Sequence, residues 1–105
     1  MAHDRNFESV DRETIIGKLR DRKDHLRKVF GVTEIGLFGS YARGENQHGS
    51  DVDLIVDFAN VPSLLEVIRL ERYLTNLLRR KVETVRRPAI RSELRQQILS
   101  EAIYA

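Results

Sequence analysis

The chain has 105 residues, 18 Lys+Arg against 16 Asp+Glu, and no cysteine. That length supports one domain with a single core, and the missing thiols exclude disulfide scaffolds and every thiolate metal site. The formal charge is only +2 although the isoelectric point is near 9.2. No apolar run approaches the ~18 residues of a membrane span, and the polar start Met1-Ala2-His3-Asp4 has no signal-peptide character. The expectation is a cytoplasmic protein. The basic runs 79–81 and 86–87 read as solvated edges, so direct nucleic-acid binding is not expected.

Residues 1–10 are polar and read as a frayed segment, leaving 11–105 as the single domain. From Asp11, a plausible N-cap, Ile15, Leu19, Leu26 and Val29 or Phe30 recur on one helical face, and Gly31 stops the helix. Val32 to Phe38 reads as a strand that ends at Gly39 and Ser40. Ala42 to Ser50 is polar loop after about one helical turn. Asp51 to Phe58 alternates: Val52, Leu54, Val56 and Phe58 share one face, while Asp51, Asp53, Ile55 and Asp57 share the other. Ser63-x-x-Glu66 is a capping box that opens a helix with the stripe Leu64, Val67, Leu70, Leu74 and Leu77 or Leu78. Leu65 and Ile68 lie off that stripe and could serve an interface. Lys81 to Val85 is a short strand, and a last helix presents Ile90, Leu94, Ile98 and Ala102. The fold class is therefore α/β (α+β): a small mixed sheet of three to four strands flanked by three to four helices.

The carboxylate face of the second strand needs a physical reason. Aspartates at i and i+2 point the same way, roughly 6–7 Å apart. They repel one another unless a hard cation neutralises them. Two magnesium ions, or manganese, suit that span. Gly39 allows close backbone approach, Ser40 offers a hydroxyl at the start of a helical turn, and Arg43 could add a bidentate phosphate contact. An anion cradle beside metal-binding carboxylates implies a nucleoside triphosphate. Glu83, central in the third strand and costly to bury unpaired, is the candidate third carboxylate, as ligand or general base beside Asp53. Asp57 shares the face but sits near its far end. Tyr41 either stacks on a ligand or packs on the core. Tyr73 and Tyr104 read as packing or interface residues, and His3, His25 and His48 fit no ligand spacing.

The run Gly39-Ser40-Tyr41-Ala42-Arg43-Gly44-Glu45, followed by Ser50-Asp51-Val52-Asp53-Leu54-Ile55-Val56, resembles the signature of the minimal nucleotidyltransferase (MNT) group of the DNA polymerase β-like superfamily. Ten residues separate Ser40 from Asp51, as in that family's Gly-Ser, ten residues, Asp-x-Asp pattern. The resemblance implies transfer of a nucleoside monophosphate, with ATP the favoured donor. It assigns Gly39 and Ser40 to the triphosphate, Asp51 and Asp53 to the metals, and Glu83 to the third acidic position, where many members carry aspartate. It further implies a HEPN-type toxin as partner, held in a hetero-oligomer and neutralised by adenylylation. The alternative is an antitoxin that neutralises by binding and occlusion alone. So short a chain is expected to take its acceptor from another molecule.

Overall fold

The computed structural model describes residues 10–47 and 49–105. The expected frayed segment thus lies outside the described residues except for Val10, which joins the core; His3 and His48 lie outside them too.

Helix α1 (Arg12–Asp21) starts at Asp11, whose carboxylate accepts the Thr14 N–H at 2.8 Å. It buries Ile15, Ile16 and Leu19. The single helix expected over 11–31 is in fact two, because the chain breaks at Arg22 (φ −109°, ψ 9°) before α2 (Lys23–Phe30). Arg20 to His25 is an unbroken charged and imidazole run with nothing to bury, so no packing holds the first axis straight. Leu26 is the only buried residue of α2. Gly31 then ends α2 in the left-handed region at φ +72°.

Strand β1 (Val32–Phe38) leads directly into the one-turn helix α3 (Gly39–Arg43), and β2 (Val52–Phe58) returns antiparallel to β1. Helix α4 (Leu64–Leu78) carries the chain back so that β3 (Val82–Arg86) lies parallel to β2, as a helical crossover requires. A 3₁₀ turn (Arg87–Ala89) precedes α5 (Ser92–Glu101), and the two-residue β4 (Ile103–Tyr104) closes on β1. The sheet order is β3-β2-β1-β4. Among the described residues there are five α-helices rather than three to four: the first divides at Arg22, and the turn after β1 is itself helical.

One face of the sheet is the core. Val52, Leu54 and Val56 join Ile35, Leu37 and Val82 beneath Ile15 and Leu19 of α1 and Leu70, Leu74 and Leu78 of α4. The Ser63–Glu66 capping box is formed on both sides. Leu64 departs from the expected stripe and is 76% exposed. At 100° per residue it sits about 80° round the helix from Leu74, in the first turn. The final helix differs more: α5 has no buried residue, and only Ile90, just before it, enters the interior. His25 stacks on Tyr73, with ring centroids 5.0 Å apart, and Phe30 packs on the same tyrosine.

The other face carries Asp51, Asp53, Ile55 and Asp57. Ile55 is buried there because the Tyr104 ring lies across Gly36; a Cβ on Gly36 would fall 2.9 Å from that ring. Asp57 pairs with Arg87 at 3.1 Å, and Arg87 also donates to the Tyr104 hydroxyl at 2.8 Å.

Candidate active site

Register brings the sequence-selected residues to one end of the sheet. Phe38, the last residue of β1, faces Asp53 across the antiparallel pair, so the chain enters α3 beside that aspartate. On the parallel side Asp53 is the direct partner of Glu83. Neighbouring strands are about 4.8 Å apart and paired residues share a face. Asp51, Asp53 and Glu83 therefore project from one face, next to the Gly39-Ser40 turn.

Gly39 is required at this corner. It adopts φ +78°, and a Cβ built on it would collide with the Asp53 carboxylate. The backbone of the turn and the aspartate thus meet at a distance no side chain permits. Tyr41 and Ala42 are buried, so Tyr41 anchors the turn in the core and does not face a ligand. The far end of α3 is held by Arg12, whose guanidinium donates to the Ala42 carbonyl at 2.8 Å.

The carboxylates are electrostatically crowded. Burial pushes the Asp53 carboxyl above its usual range; the Glu83 and Asp51 charges push it further, while Arg43 opposes them. This is the condition a cation relieves. The donors are hard oxygens, the set magnesium and manganese prefer, so the residues present fit the implied ions. As the side chains stand, no group of three or more His, Asp or Glu among the described residues is gathered closely enough to hold a metal.

Glu83 is expected on a buried face, but β3 is an edge strand and the Glu83 side chain is 57% exposed, with Lys81 Nζ 3.8 Å away. Arg43 is not open either: its Nε donates to Glu45 at 3.0 Å and its Nη1 to Glu101 at 3.1 Å. Sequence reading missed Glu101 altogether. Its carboxylate also accepts the Gly39 N–H at 2.9 Å, across 62 positions of sequence. A polar residue near the end of an amphipathic helix carries no local mark of such a contact.

The family "Nucleotidyltransferase domain" matches residues 16–105, and the chain belongs to that family: it is a nucleotidyltransferase. Within it, the chain is 47% identical over 92 residues to the protein adenylyltransferase MntA of Thermococcus cleftensis, a match that covers 88% of this chain and 93% of the relative. A solved structure provisionally assigned as a minimal nucleotidyltransferase superposes with a TM-score of 0.68 at 37% identity, covering 84% of this chain and 93% of the other. A Shewanella oneidensis complex of a tri-AMPylated HEPN toxin with an MNT antitoxin matches with a TM-score of 0.56 at 25% identity, covering 88% of this chain and 66% of that one. Four strands in a mixed sheet, flanked by helices, are the shared architecture.

Proposed function

We propose that the chain transfers AMP from ATP to a hydroxyl of a partner protein, and that the partner is a HEPN-type toxin which the chain restrains as antitoxin in the cytoplasm. The observation that carries the reading is the three-strand register, with Asp53 beside Glu83 and in contact with the Gly39 corner. The Thermococcus relative and the Shewanella complex support protein, and a HEPN toxin in particular, as the acceptor.

In this reading Gly39 and Ser40 receive the β- and γ-phosphates, with Arg43 as a further contact. Asp51, Asp53 and Glu83 would hold magnesium, which supplies charge neutralisation at the triphosphate and the leaving pyrophosphate. The acceptor oxygen attacks the α-phosphorus, the bond to the β-phosphate oxygen breaks, and pyrophosphate departs. Glu83 orients the acceptor hydroxyl and takes its proton. Its exposed edge position suits that role, because an acceptor carried by another molecule can reach it.

Incubation of the partner with radiolabelled ATP tests this directly. Asp51→Asn with Asp53→Asn should reduce labelling by at least a thousandfold; undiminished labelling would sink the mechanism. One observation favours the occlusion reading instead: the carboxylates stand apart, and Glu83 leans toward Lys81. Neutralisation that survives the double substitution, with no AMP on the partner, would select it.

A further inference from the structure

We propose that Glu101 is a positioning residue of the nucleotide site, which sets the Gly39–Arg43 turn for the triphosphate from the opposite end of the chain. The inference rests on the nucleotide-binding reading above and adds to it a residue that reading does not use. The Glu101 side chain is only 17% exposed. One of its oxygens accepts the Gly39 N–H at 2.9 Å and an Arg43 Nη1–H at 3.1 Å, and the second lies 3.4 Å from the same nitrogen.

The two residues that the proposed function gives to the phosphates are thus fixed by one carboxylate. Gly39 has no side chain and adopts φ +78°, so local sterics alone hold it loosely. The Arg43 guanidinium is held on its Nε edge by Glu45 and at Nη1 by Glu101, while Nη2 makes no hydrogen bond among the described residues. A planar guanidinium held at two corners points its third in one direction.

The Glu101 charge pairs with Arg43 at 3.1 Å, and the same oxygen holds the Gly39 amide, so one carboxylate fixes both ends of the turn. Its own support is slight. Helix α5 buries no side chain, and Ala102 leads straight into β4. Glu101 therefore links the last helix to the site by polar contacts rather than by packing.

The test uses the full chain and Mg·ATP as the probe, with three readouts: ATP affinity by titration, AMP transfer to the partner, and amide exchange at Gly39. Glu101→Ala should weaken ATP binding about tenfold, the typical loss for a charge-assisted contact, and speed Gly39 exchange at least tenfold. The rate at saturating ATP should stay within about threefold of wild type. Glu101→Gln keeps an acceptor for the Gly39 amide and should restore its protection to within threefold, while ATP binding recovers only in part.

Unchanged or tighter ATP binding in Glu101→Ala overturns the proposal; tighter binding would mean that Glu101 competes with the triphosphate. Protection lost throughout the core also overturns it, since the role would then be structural only. A wild-type chain that binds Mg·ATP but modifies no partner defeats the transfer reading alone, because affinity and Gly39 exchange still judge Glu101.

Discussion

Gly39 and Asp53 approach each other more closely than a side chain on Gly39 would allow. In Gly39→Ala the positive φ alone costs about 1–2 kcal/mol, and the new methyl collides with the Asp53 carboxylate. Urea unfolding should show that loss, and ATP binding should fall with it; a variant that keeps both would contradict the close approach. The charge on Asp53 works in the opposite sense. Its pKa is raised by burial, then by Glu83 and Asp51, so the folded chain binds this proton more tightly than the unfolded one. The stability so contributed is complete below the unfolded value of 3.8 and is lost as pH rises through the higher folded value. At neutral pH the metal-free protein therefore carries a penalty, and Asp53→Asn should raise its melting temperature by a few degrees. Magnesium should raise the wild-type melting temperature and leave the Asp51→Asn, Asp53→Asn chain unmoved. The two aspartates and the Gly-Ser pair were legible in sequence because alternation and spacing are local properties. The exposure of Glu83 depends on strand order, and the reach of Glu101 on a contact 62 positions long, so neither could be read from its surroundings.

Among the elements, β3 depends most on help from outside the sheet. It lies at the edge, and α4 meets two of its backbone donors: Glu71 accepts both the Thr84 N–H and hydroxyl at 2.8 Å, and Thr75 accepts the Val82 N–H at 3.3 Å. The two helix residues are one turn apart, so a single face of α4 covers the edge that would otherwise pair with another strand. Glu71→Ala leaves two β3 donors without their acceptor and should cost about 1–3 kcal/mol. Because Glu83 is the neighbour of Thr84, AMP transfer should fall more than overall stability; chemical denaturation alongside the transfer assay separates the two. The strands and the capping box of α4 were readable from period and caps. The break at Arg22 was not, because Leu19 and Leu26 keep helical phase across it. The exposure of Leu94 in α5 was not readable either: periodicity names an apolar stripe but not whether anything covers it.

At the scale of the molecule, the sheet separates two surfaces. Asp51, Asp53 and Glu83 stand at the end where β1 finishes and β2 begins. The exposed apolar side chains Val29, Val61, Leu64 and Leu65 gather at the other, before β1 and after β2. An acceptor hydroxyl that meets Glu83 must therefore approach over the carboxylate end, away from that apolar surface. The central claim is that this end performs AMP transfer to protein, and intact-mass spectrometry of a HEPN-type protein offered as acceptor measures it most directly. After incubation with the chain, ATP and magnesium, the partner should gain one or more AMP masses. The gain should vanish when magnesium is chelated or when Asp51 and Asp53 are both asparagine. A partner that is neutralised yet keeps its unmodified mass in all three conditions would contradict the account.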